Sequence, residues 1–172
     1  MRRTRALAVA GILALALAVA LTAAIVRHAS APEIADAGAS ATQTATVEFV
    51  VDGDTIATSA GRVRIIGIDA PERDQCGHAE ATAALEGFIA PGDPVTLELP
   101  AGQNDRDRHD RLLRHVVTGA GVDLGLAQLE AGHAVARYDS RDGYPAHPHE
   151  DEYRAAQRKT SPPSISPDCP VM

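Results

Sequence analysis

Apolar and polar residues follow several different registers along this chain, and each register marks a different kind of element. The longest apolar stretch, Ala6–Val26, has neither charge nor periodic polar face and reads as an N-terminal apolar helix. Thr46–Val51 is rich in β-formers and runs into Asp52-Gly53, a tight-turn dipeptide. Ile56–Thr58 and Val63–Ile68 follow as a second and third strand around Ser59-Ala60-Gly61, and Pro71 stops the third. Helical spacing then takes over: Ala81, Ala84, Leu85, Phe88 and Ile89 share a face within Ala79–Ile89, which Pro91-Gly92-Asp93-Pro94 ends. Val95, Leu97 and Leu99 alternate with Thr96 and Glu98 as a fourth strand, and Leu112–Val117 forms a fifth. Asp123–Ala131 is an amphipathic helix stopped by Gly132. Glu150–Lys159 is a third helix, with Glu150, Asp151 and Glu152 at the end where the helix dipole favours acids. This order predicts an α+β domain over residues 46–160, a five-stranded OB-fold barrel with three helices.

The ends of the chain differ from the body. Arg2, Arg3 and Arg5 precede the apolar run, whose 21 residues would span roughly 31 Å as a helix, close to the hydrocarbon thickness of a bilayer. Residues 1–27 are therefore expected to be a signal peptide or a membrane-anchoring helix, with the basic end inside and the body exported. Residues 28–45, rich in Ala, Ser, Thr and Gly, read as a flexible linker. Residues 161–172 carry Pro162, Pro163, Pro167 and Pro170 and read as an irregular tail. The two cysteines, Cys76 in the body and Cys169 in that tail, suit a disulfide in an oxidising compartment, two free thiols being the alternative.

Composition sharpens two points. Aromatic residues are 3% of the 172 and Trp is absent, so the core has to be built from Ala, Val, Leu and Ile. Net charge is −7, and residues 1–30 hold four Arg and no acid, which leaves −11 on the remainder. That acidity excludes a protein that grips nucleic acid through bulk positive charge.

The chemistry concentrates in Asp52-Gly53-Asp54-Thr55, Arg64 and Asp69-Ala70-Pro71-Glu72. A hairpin of strands two and three would bring Asp54 and Asp69 to one end, where two carboxylates repel unless a cation lies between them. Oxygen ligands of this kind suit Ca²⁺ or Mg²⁺ rather than zinc. Glu72, just past a proline-fixed turn, could reach a water on such a metal. Arg64 offers the forked donors a phosphate needs. Arg106, Arg108, Arg111 and Arg114 form a second basic element, although by composition alone this stretch reads rather as a solvated loop neutralised by Asp105, Asp107 and Asp110.

Three segments, Asp52–Thr55, Val63–Glu72 and Asp107-Arg108-His109-Asp110-Arg111-Leu112-Leu113, resemble in order the signature segments of the staphylococcal-type nuclease (thermonuclease) family. The resemblance implies an OB barrel with three helices and Ca²⁺-dependent hydrolysis of DNA and RNA by a monomer. Carried over by position, it implies Asp54, Asp69 and the Ala70 carbonyl as metal ligands, with Asp52 supporting them from behind. Glu72 would act on the attacking water, and Arg64 and Arg111 would hold the scissile phosphate. Arg108, His109 and Tyr138 would line the substrate site. Two departures stand out: His109-Asp110 replaces the usual aromatic and Gly before Arg111, and the usual Gly-Leu-Trp is missing after Lys159. Asp110 is therefore expected in a left-handed turn that Gly fills more easily. His147 and His149, with Glu150 beyond, can be read as a metal motif but read rather as a loop leading into the third helix; His115 and His133 read as ordinary residues, and Tyr138–Pro148 as a surface loop at the groove rim. The alternatives are an inactive nuclease-fold binding module or an acidic interaction domain at the cell surface.

Overall fold

A computed structural model describes residues 40–160 of the chain. The N-terminal apolar run, most of the expected linker, the proline-rich tail and Cys169 lie outside these residues. Strand β1 (Ala41–Asp52) is twelve residues long and serves two neighbours. Its first half pairs antiparallel with β5 (Pro94–Leu99), and its second half pairs with β2 (Thr55–Thr58). Register shifts between Val47 and Phe49 and between Val50 and Asp52 interrupt its pairing with β2, as bulges do in barrel strands. Residues 41–45, expected in the linker, are thus strand: Ala45 is buried, and Thr42 and Thr44 pair with Glu98 and Thr96. Their Ala/Thr/Gln composition hid a partner that only the distant β5 supplies.

Strand β3 (Gly61–Ile65) pairs antiparallel with β2 and parallel with β6 (Leu112–Thr118), which returns to β5, closing the barrel in the order β1-β2-β3-β6-β5. Closure leaves the barrel itself without an open edge. The third predicted strand does not run unbroken to Ile68. It ends at Ile65, turns through Ile66 and Gly67 (φ +79°), and resumes as the two-residue β4 (Ile68–Asp69). Strand β4 pairs with β7 (Val135–Ala136), an element too short to leave a periodic trace in the sequence.

Helix α1 (His78–Glu86) stops earlier than predicted, at Gly87, whose N–H bonds to the Ala83 and Ala84 carbonyls. Asp123 caps α2 (Leu124–Glu130), its Oδ1 accepting from the N–H groups of Gly125 and Leu126. Helix α3 (Glu150–Thr160) seats Tyr153 and Ala156 against the barrel. The core is aliphatic, with Ile56, Val63, Ile65, Leu85, Leu97, Val116, Leu124 and Leu129 almost fully buried. Tyr153 is the one aromatic among the buried hydrophobic residues described, whereas Phe49 and Phe88 are exposed.

Candidate metal and phosphate site

The turn that carries Asp54 is fixed from beneath. A side chain at Gly53 would come within 2.6 Å of the Ala81 Cβ and 2.8 Å of the Ala70 Cβ, so only glycine lets the turn sit under α1. Buried Gln128 on α2 donates to the Gly53 and Ala81 carbonyls at 2.7 and 2.8 Å, tying turn and helix together. Asp52 Oδ1 accepts from the Asp54 N–H at 3.1 Å.

From that turn the Asp54 carboxylate points inward and is 5% exposed. It accepts from the Thr55 hydroxyl at 3.0 Å and the Ala70 N–H at 2.9 Å, and it contacts Arg64 Nη2 at 3.0 Å. The same guanidinium nitrogen lies 3.3 Å from Asp69 Oδ1. Burial pushes the Asp54 carboxyl up to about 6, although Arg64 pulls it down. The other arm of Arg64 donates to the Ile65 and Ile68 carbonyls at 2.6 and 2.9 Å. The Ile66-Gly67 turn therefore wraps around Arg64, and this is what returns Asp69 to the carboxylate it meets.

Tyr138 closes the far side. Its hydroxyl donates to Asp69 Oδ1 at 3.3 Å, and its ring lies 5.7 Å from the Arg64 guanidinium and 5.5 Å from that of Arg137. Burial and then the Asp69 charge raise the Tyr138 phenol above its ordinary range. Its backbone is left-handed, with φ +62°, a cost that non-glycine residues bear mainly where function or packing holds them. Two residues of this wall were not anticipated from sequence: Arg137, with Nη1 3.6 Å from Asp69 Oδ2, and exposed Tyr144, edge-on to Tyr138 at 5.2 Å. Their only signal was adjacency to Tyr138 in the rim loop.

Arg111 stands at the start of β6. Its Nη1 reaches the Thr55 hydroxyl at 3.4 Å, while Nε and Nη2 hold Asp107 Oδ2 at 2.7 Å each. Burial alone would raise Asp107, but hydrogen bonds from Arg111 and the His109 N–H outweigh it and hold the carboxyl below its usual range. Polar contacts thus run unbroken from Arg111 through Thr55, Asp54, Arg64 and Asp69 to Tyr138. Glu72, Arg108 and His109 lie outside that network and are exposed, with Arg108 Nε 3.0 Å from His109 Nε2. Arg106 and Arg114 pair with Asp110 and Asp105, so these two arginines neutralise their own loop. Asp69, Ala70, Pro71, Gln75, His133 and Val135 line an open depression beside the acid pair. Cys76 is disulfide-bonded; Cys169 is the chain's other cysteine.

Asp110 adopts φ +62°, the left-handed turn expected from its position before Arg111. Asp110→Gly should relieve that conformation and stabilise the protein by about 0.5–1 kcal/mol. Denaturant midpoints check this, and an unchanged or lowered midpoint would show that the Arg106 contacts to Asp110 outweigh the strain.

The Asp54 and Asp69 side chains offer only oxygen donors, and one cationic nitrogen already touches both carboxylates. Such a set fits a hard divalent cation. The sequence model of the family described as staphylococcal nuclease homologue matches residues 62–161. Among similar proteins, succinoglycan biosynthesis protein ExoI of Rhizobium meliloti is 33% identical over 105 residues, covering 55% of this chain and 52% of that protein. An uncharacterized endonuclease of Escherichia coli is 34% identical over 89 residues, 49% of this chain and 55% of its own length. Endonuclease YhcR of Bacillus subtilis is 29% identical over 104 residues, 51% of this chain and 8% of that protein. The chain thus spans about half or less of the curated relatives it matches. With the match covering more than half of the chain, including β3, β5, β6 and all three helices, the chain belongs to the staphylococcal nuclease homologue family.

Proposed function

We propose that this protein is a Ca²⁺-dependent nuclease that hydrolyses phosphodiester bonds of DNA and RNA outside the cytoplasm. The observation that carries the reading is the Asp54–Arg64–Asp69 cluster, in which Asp54 and Arg64 are buried, with Arg111 joined to it through Thr55. Two endonuclease-named relatives support the same class of chemistry. Asp54, Asp69 and the Ala70 carbonyl would hold the ion, which supplies Lewis-acid polarisation of a phosphoryl oxygen when bound.

The chain's own groups account for the remaining work. The exposed Glu72 carboxylate takes a proton from the attacking water as its oxygen bonds to phosphorus. The phosphorus–oxygen bond to the leaving group breaks, and solvent protonates the departing oxygen. Arg64 and Arg111 donate to the equatorial oxygens, where negative charge builds. To do so Arg64 must exchange carboxylate contacts for phosphate contacts, an exchange that cation binding to Asp54 and Asp69 favours. Tyr138, Arg108 and His109 offer a ring and donors along the substrate's path. The basic start and apolar run of residues 1–27 support export, as a cleaved signal or a membrane anchor.

The test is degradation of single-stranded DNA and of RNA in Ca²⁺ and then in EGTA, with Glu72→Gln as control. Cleavage that needs Ca²⁺ and drops about 10²–10⁴-fold in Glu72→Gln is expected. Cleavage no higher than in that variant would overturn the reading in favour of an inactive nuclease-fold module.

A further inference from the structure

A second polar cluster lies where β6, the start of α2 and the start of α3 meet, and the nuclease reading does not use it. His115 on β6 is 1% exposed, and its Nε2 is buried without a hydrogen-bond partner. His147, in the segment that leads into α3, is 6% exposed, and both its ring nitrogens are buried and unpartnered. An unsatisfied buried nitrogen costs about 1–3 kcal/mol, so three together in one small region is an expensive arrangement. The rings crowd together, His115 lying 4.4 Å from His149 and 5.0 Å from His147 between centroids. Asp123 Oδ2 is 3.9 Å from His149 Nδ1. One ligand-type atom each from His115, Asp123 and His149 lies within 4.8 Å of the others, the one trio of His, Cys, Asp or Glu so placed among the described residues.

The surrounding hydrogen bonds orient this trio. The Tyr153 hydroxyl lies 2.8 Å from both Asp123 oxygens and donates to that carboxylate; it can accept the His115 Nδ1–H across 3.2 Å. That assignment leaves a lone pair on the unpartnered His115 Nε2. A ring nitrogen held by a hydrogen bond through its opposite N–H is the usual support of a metal-bound histidine. The Gly125 and Leu126 N–H groups fix the Asp123 carboxylate as the α2 cap. His147 is pressed against Gly67, where any side chain would come within 2.7 Å of its ring.

We propose that His115, His149 and Asp123 bind a zinc ion, with His147 the side chain available for a fourth position. Imidazole with a single carboxylate is a borderline-soft set, which selects Zn²⁺ over the Ca²⁺ that suits the oxygen donors at Asp54 and Asp69. Tetrahedral zinc ligands sit roughly 3.3–3.5 Å apart, so the trio has to draw in by about an ångström. His149 provides that freedom, because its side chain is one-third exposed. The ion would pin the starts of both helices to the barrel strand.

The experiment titrates Zn²⁺ into the full chain, stripped with chelator and held in excess Ca²⁺, following stoichiometry by calorimetry and the unfolding midpoint. Co²⁺ replaces Zn²⁺ in a parallel run, for its tetrahedral visible absorption. One equivalent bound, a raised midpoint and a tetrahedral Co²⁺ spectrum are expected. His149→Ala should lose all three, and Asp69→Asn should keep them. Asp123→Asn, which preserves the cap, should weaken binding at least 10-fold in a folded protein. No Zn²⁺ uptake in the presence of Ca²⁺, uptake unchanged in both His149→Ala and Asp123→Asn, or uptake lost in Asp69→Asn would each overturn the proposal.

Discussion

Arg64→Ala should lower stability by about 3–5 kcal/mol in chelator, and Ca²⁺ should restore most of that stability without restoring cleavage. Arg64 is nine-tenths buried and satisfies two carboxylates and two carbonyls with one guanidinium. Truncation leaves Asp54, at 5% exposure, beside Asp69 with no cation between them, and breaking a buried pair from one side carries that order of cost. A divalent ion seated between the carboxylates replaces the missing charge and recovers the fold. It cannot replace a donor to the phosphate, so the rate should stay down by about 10²–10³-fold. Arg64→Lys should regain part of the stability, through its charge, and little of the rate, because an ammonium lacks the fork. Denaturant unfolding with and without Ca²⁺, set beside the nuclease assay, separates the two roles. Stability that Ca²⁺ fails to restore would argue against a cation between Asp54 and Asp69. Full activity in the alanine variant would remove Arg64 from the chemistry.

Acid should destabilise the metal-free protein largely through His115. Burial, and then the nearby His149 and His147, hold its imidazole down to about 3. In the unfolded chain it protonates near 6.5, so between those values the unfolded state binds the extra proton. Stability is therefore full above pH 6.5 and falls as pH drops toward 3, by on the order of 4 kcal/mol. His147, also lowered chiefly by burial, adds in the same direction. Asp54 acts oppositely. Raised to about 6, it keeps a proton in the fold that the unfolded chain has lost above 3.8, so it favours folding as pH falls through that range. The difference between variants, rather than the raw slope, isolates His115. His115→Gln, which keeps a partner for Tyr153, should flatten the stability profile between pH 6.5 and 4 in chelator. An identical slope in wild type and variant would show that His115 does not carry the acid sensitivity.

Much of the fold was readable from local pattern. The alternation at Val95, Leu97 and Leu99 placed β5, Asp123 placed the start of α2, and the acidic first turn placed α3 at Glu150. What pattern missed were elements defined by partners far along the chain. Residues 41–45 are strand because β5 pairs with them, and Val135–Ala136 is strand because β4 does. The break at Gly67 was hidden because Ile65, Ile66 and Ile68 keep the run apolar straight through the turn.

The candidate site divides the same way. The acidic pair and Arg64 stood out by residue type and spacing, whereas Arg111 and Tyr138 were legible only through the resemblance to the family. Arg137 and Gln128 had no family signature, and Thr55, although it stands in the first signature segment, was given no role there; the contacts of all three depend on how strand, helix and rim loop pack around Asp54 and Asp69. The histidines mark the sharpest contrast. One by one, His115, His147 and His149 looked like a strand residue and a loop. Only the docking of α2 and α3 on β6 makes them a cluster, because burial and distance are properties of the packed chain. The sequence by itself determined the barrel, its helices and the identity of the acidic and basic groups, because periodicity, turn chemistry and side-chain type are local. The tertiary structure alone decided that Arg64 lies between the two carboxylates, that Arg111 reaches them through Thr55, and that three histidines gather where the two helices meet β6.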